Sequence, residues 1–310
     1  VVFGLISSAW VLPALVGPPL AGLVTEHLSW HWVFLGLLPV VGLALVLIAP
    51  VVRVLRPPTG PAAGDRGTGL VPAALGAAVG VAGLSWALEN LDVGGAVAGV
   101  VALAVLVPSL RRLLPRGTVV ARPGIAAVVA ARGLVAGAFF PVVSFLPLVL
   151  TATHGWSLTA AGTPLIVASL GWSGAAAWQA RRPDADRALM LRTGFAMIAA
   201  GQVALVPVAA GLLPGWLAVG FWGVSGLGMG VAFSAIAYLT LAHSDAGDVG
   251  AHSSAAQLLD QLATAVFVGL GGALLVALGS PAVALPVLVA VVACLSGIGA
   301  VTAGRTRVRA

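Results

Sequence analysis

Apolar residues run along this chain in long blocks, and polar ones are largely confined to short gaps between them. Ten blocks can be marked, at approximately 1–24, 32–52, 70–88, 94–110, 124–150, 160–179, 189–212, 215–242, 251–279 and 282–303. Each is close to the roughly 20 residues that a helix needs to cross the hydrocarbon core of a bilayer. No strand-like alternation competes, and only helices or closed barrels satisfy their backbone groups in lipid. The pattern predicts an all-α integral membrane protein with about ten transmembrane helices.

The polar gaps then set a topology. Arg53, Arg56 and Arg66 fall in the gap 53–69, and Arg111, Arg112, Arg116 and Arg122 in the gap 111–123. Arg181, Arg182, Arg187 and Arg192 fall in 180–192, and Arg305, Arg307 and Arg309 in the tail. These are alternate connections, and the intervening ones contain no arginine. The positive-inside rule makes the arginine-bearing side cytoplasmic. It predicts a multi-pass protein of the inner (plasma) membrane with a cytoplasmic C-terminus.

Composition agrees with this reading. The chain of 310 residues is 60% hydrophobic and 8% charged, against about 25% charged for a soluble domain. Too few charges remain to coat a water-facing surface. The net charge of +6 is accounted for by topology, which argues against nucleic acid as a partner. The single cysteine, Cys294, rules out a disulfide within the chain and a cysteine-based metal site. All fifteen basic residues are arginine, which with the abundant Ala, Gly and Val suggests a GC-rich bacterial genome. Val1 lies inside an apolar run with no basic flank or cleavage site, so the start reads as mid-protein rather than as a signal peptide.

Two charges break the pattern. Arg132 lies about eight residues into the fifth block, roughly 12 Å deep at 1.5 Å per residue, and Asp260 about ten residues into the ninth. Both blocks start on the cytoplasmic side, so the charges share a depth. A charge near the middle of a membrane helix costs at least about 2.5–3.5 kcal/mol, and such groups face a cavity or each other. Ser253, Gln257, Asp260, Gln261 and Thr264 recur at spacings of three and four and form one polar stripe. Three readings stand: a structural Arg132–Asp260 pair, a proton or cation site at Asp260 tuned by Arg132, or two charges too far apart to meet. Trp172, flanking Ser173, is a further cavity candidate.

Other polar features point to solvated ends. Glu26, His27 and His31 cluster in an outer loop where a helix breaks, which disfavours a metal site. Glu89, Asp92, Asp245 and Asp248 lie at helix ends, and Asp65, Asp184 and Asp186 among arginines. The run "GLGMG" at Gly226–Gly230 follows no strand, so it reads as close helix packing rather than a phosphate loop. No hydrolase or prenyltransferase signature is present, so neither enzyme chemistry nor a cofactor or metal is predicted.

The first block carries "WVLPALVGPPLAGL" from Trp10 to Leu23, with Pro13, Pro18 and Pro19 inside a membrane span. Small residues Ala14, Gly17, Ala21 and Gly22 recur there at helical spacing, a surface for close approach of another helix. This stretch and the following "SWHWVFLGLLPV" resemble the fifth and sixth helices of the 14-helix drug:proton antiporters of the major facilitator superfamily. The antiporter motif of that family corresponds here to Pro13, Gly17, Pro18, Ala21 and Gly22, with Ala21 in place of a glycine. His31 stands where the family has an arginine, between Trp30 and Trp32. "AFFPVVSFLPLVLTATHGW", "WGVSGLGMGVAF" and "GAHSSAAQLLDQLATAVF" are similar to the first, fourth and fifth helices of its C-terminal half.

The resemblance implies a major-facilitator-type helical bundle and a domain plan. Residues 1–52 correspond to the last two helices of the N-terminal half, and 53–69 to a cytoplasmic loop. Residues 70–114 correspond to two inserted linker helices, 123–303 to the C-terminal six-helix half, and 304–310 to a cytoplasmic tail. The family's first four helices are then absent from these 310 residues, and transport by the chain alone is not expected. The implied function is proton-coupled export of amphipathic small molecules, as in multidrug or antibiotic efflux, by alternating access. Its partners are the substrate, protons and the lipid bilayer, with a monomer expected. Export of a self-made metabolite and a non-transporting scaffold or sensor are the alternatives.

Overall fold

The computed structural model describes residues 17, 20–25, 27–54, 69–90, 92–245 and 247–307. Pro13, Pro18, Glu26, Asp65 and Arg309 lie outside them, as does most of the first apolar block. Among the described residues the chain is helical without strands. The helices are α1 (20–25), α2 (Trp30–Leu35), α3 (Leu37–Val54), α4 (Leu70–Glu89), α5 (Val93–Leu113) and α6 (Ile125–His154). They continue as α7 (Leu158–Ala161), α8 (Thr163–Ala180), α9 (Arg187–Ala209), α10 (Leu217–Ala242), α11 (Val249–Leu278) and α12 (Pro281–Thr302), which runs into a 3-10 turn at Ala303–Thr306. Eight of these stretches are long and apolar enough to cross a membrane, α2 and the start of α3 counting as one.

Local chemistry fixes the helix ends. Asp186 accepts hydrogen bonds from the backbone N–H of Ala188 and Leu189, at 2.9 and 3.0 Å, so α9 starts at Arg187. Arg187 and Arg192 therefore lie in the first turns of a helix rather than in the preceding connection. Asp92 caps α5 in the same way, accepting from Gly95 N–H at 2.7 Å. Gly155 closes α6 with φ of 68°, a left-handed conformation that costs glycine nothing. The sixth block is split, because α7 stops at Gly162 and α8 restarts at once.

Helices α6 and α8–α12 pack as one bundle. α10 lies against α8 and α9, α12 against α9 and α6, and α11 against α6. The core between them includes Trp222, Phe195, Ile198, Leu205, Met229 and Leu285, all almost inaccessible. Close approach depends on missing side chains. A Cβ on Gly194 would meet Ala232 N and Gly228 O at 2.7 Å, and one on Gly228 would meet Met197 Cβ at 2.8 Å. Gly226 and Gly230 press on Ala168 and Trp172 of α8. The "GLGMG" run is thus the packing face of α10 on its neighbours. A buried polar link crosses the same core: Gln202 Nε2 donates to Ala138 O at 2.7 Å, and Ser296 Oγ donates to Gln202 Oε1 at 2.9 Å.

The helices α4 and α5 form a hairpin. Its Ala77 and Leu106 make a second apolar cluster with Leu262 of α11, joined by Leu259 and Val266. At one end of the bundle the arginine-bearing connections come together. Gly124 N–H donates to Arg305 O at 3.0 Å, Arg305 Nη1 donates to Val120 O at 2.9 Å, and His243 Nε2 lies 2.9 Å from Thr306 O. Arg307 lies 3.6 Å from Asp186. The tail therefore ties the connections before α6 and α9 to the end of α10.

Candidate functional site

The bundle brings the two intramembrane charges together. Arg132 Nε donates to Asp260 Oδ2 at 2.5 Å, linking α6 to α11. Close packing permits this, because Gly133, next to Arg132, leaves room only for Leu259, next to Asp260. Arg132 lies seven residues after the start of α6 at Ile125 and Asp260 eleven after the start of α11 at Val249. At 1.5 Å per residue these depths are about 10 and 16 Å. The depth match read from sequence therefore corresponds to a real contact.

The guanidinium is held on three sides. Its Nη2 donates to Gln257 Oε1 at 3.3 Å. Phe233 of α10 lies beneath it, with Cζ 3.7 Å from the ring centroid, an attraction between a cation and the negative face of the ring. The Asp260 side chain is only 4% exposed and that of Arg132 is 13% exposed. The carboxylate is thus the more buried partner, and Nη1 donates no hydrogen bond among the described residues.

Aromatic rings extend the site. Trp172 of α8 meets Phe233 edge-on at 5.1 Å between centroids and Phe139 at 5.9 Å. Phe139 stacks on buried Trp222 at 4.6 Å, and Phe140 lies 6.5 Å from Trp172. Four helices thus contribute to one polar–aromatic face: α6, α8, α10 and α11.

The remaining stripe residues divide. Gln261 and Ser253 are exposed, whereas Thr264 Oγ1 is buried without a hydrogen-bond partner. Phe233, Phe139 and Phe140 escaped the sequence reading because a phenylalanine in a membrane helix looks the same facing lipid or cavity. Their recurrence beside Arg132 on α6 and opposite it on α10 was the available signal.

Part of the antiporter-like stretch is described. A Cβ on Gly22 would lie 3.7 Å from Thr159 Oγ1, at the end of the bundle far from the arginines. A Cβ on Gly17 would meet nothing within 4 Å, and Ala21 O accepts from Thr25 Oγ1 at 2.7 Å. His31 stacks on Trp30 at 3.8 Å, and its Nδ1 is 3.4 Å from Ser29 Oγ. Among the described residues no group of three or more histidine, cysteine or acidic side chains could hold a metal ion.

The bundle thus combines long apolar helices with a buried ion pair next to aromatic rings. The chain belongs to the Major Facilitator Superfamily, whose sequence pattern it matches over residues 1–268. It is 43% identical over 54 residues to the acurin A biosynthesis cluster MFS-type transporter of Aspergillus aculeatus, covering 17% of this chain and 10% of that protein. It is 35% identical over 57 residues to the efflux pump FUS6 of Gibberella moniliformis, covering 18% and 10%. It is 33% identical over 57 residues to the MFS-type efflux pump LUC4 of a Fusarium species, again covering 18% and 10%. The aligned stretch is thus about a tenth of each relative's length.

Proposed function

We propose that the protein exports amphipathic small molecules in exchange for protons, by alternating access, in the plasma membrane with its C-terminus in the cytoplasm. The observation that carries this reading is the Arg132–Asp260 pair beneath the aromatic face. Asp260 is the group that takes up and releases the proton, and Arg132 sets how readily it does so. Gln257, Gln261, Thr264 and Trp172 line the substrate path. In this reading residues 123–303 are the C-terminal half, α4 and α5 the inserted pair, and residues 1–52 the end of the other half. The approach of Gly22 to Thr159 supports a seal on the outer side between the halves, and the working form is a monomer.

The acurin A cluster transporter supports a second reading, in which the cargo is a metabolite made by the cell itself. Retention of an amphipathic dye by cells expressing the protein tests the exporter reading. Lower retention that a protonophore restores is the expected outcome, and retention equal to that of empty cells contradicts it.

A further inference from the structure

From the geometry around Arg132 we infer that this site takes organic acids: a carboxylate or ionised enol or phenol on a flat, conjugated body. The inference rests on the exporter reading and specifies the charge of the cargo. A cation would have to reach Asp260, whose side chain is 4% exposed and already bonded to Nε of Arg132. An anion meets Arg132 first. Asp260 uses only the Nε side of the guanidinium and Gln257 one donor of Nη2, so the Nη1–Nη2 edge keeps donors for an oxygen pair. Such an edge matches a carboxylate bidentately. Phe233 holds the guanidinium plane from below, which fixes the direction of that edge.

The rest of the cargo meets rings and amides. Trp172, Phe233 and Phe140 supply aromatic surface next to the charge, and exposed Gln257 supplies an amide at its rim. Among the described residues no second acidic side chain sits on this face: Asp245 and Asp248 lie at the start of α11, more than two turns from Asp260. Among the described residues, then, this face holds a guanidinium with unused donors and no unpaired carboxylate.

Three probes with one ring system and different charge test this. Anthracene carboxylate, the corresponding anthracene methanol and the aminomethyl analogue are titrated onto the full chain in phosphatidylcholine nanodiscs at neutral pH. Tryptophan quenching gives the affinities, with empty nanodiscs subtracted. The carboxylate is expected to bind at least about tenfold more tightly than the alcohol, and the amine most weakly. Arg132→Gln should remove the preference for the acid over the alcohol. Asp260→Asn should strengthen acid binding, where a cation site would lose its ligand. The order in the unaltered protein needs no variant to fold. Equal affinities, or tightest binding of the amine, would overturn the inference, yet would leave export itself to be judged by the dye-retention experiment.

Discussion

Asp260 bonds to Arg132 through Nε at 2.5 Å across 128 positions of chain, and of the two side chains the guanidinium is the more exposed, at 13% against 4%. The burial of both groups decides how a mutation at either one is felt.

Breaking one side of a buried pair leaves an uncompensated charge, which costs about 3–5 kcal/mol. Arg132→Gln and Asp260→Asn should each lower the unfolding temperature in detergent. The double variant should recover most of the loss, because it buries no lone charge. Losses that simply add would show that the pair does not act as a unit.

The buried link from Gln202 to Ala138 and Ser296 is worth less. Hydrogen bonds between membrane helices average about 0.6 kcal/mol and reach about 1.7. Gln202→Leu should therefore shift the melting temperature slightly, with probe affinities unchanged. Collapse of the protein in that variant would show a larger role than packing gives it.

Glycine positions separate by what surrounds them. Gly194→Leu should prevent folding, since even a Cβ would sit 2.7 Å from backbone atoms of α10 that cannot move aside. Gly174→Leu on α8 should be tolerated, since nothing lies within 4 Å of a Cβ there. Yield of monodisperse protein after extraction reads both.

At the opposite end, Gly22→Leu should disturb the approach to Thr159, whereas Gly17→Leu should not, because a Cβ on Gly17 meets open space. Proton leak into vesicles loaded with a pH-sensitive dye measures this. A leak with Gly17→Leu alone would relocate the seal.

The sequence made the bundle legible because lipid imposes a coarse rule. Long apolar blocks and alternate arginine-bearing gaps left little freedom, and the arginine-bearing connections around α6, α9 and the tail do meet at one end. Arg132 and Asp260 stood out because a charge in such a block is costly. Their partners did not. Phe233 and Phe139 are distinguished from lipid-facing residues only by helix rotation, which tertiary packing at Gly194, Gly228 and Gly133 sets. The break at Gly162 was equally hidden, since Ser157 caps a short helix inside an otherwise apolar run by accepting from Ala160 N–H at 3.2 Å.

The most direct test uses inverted membrane vesicles from cells expressing the protein. Accumulation of a fluorescent amphipathic acid is followed when the lumen is acidified, with the unaltered protein and with Asp260→Asn. The account predicts accumulation driven by the proton gradient in the unaltered protein and none driven by it in the variant, although the variant still binds the acid. Gradient-driven accumulation of equal extent in both would contradict a coupling role for Asp260.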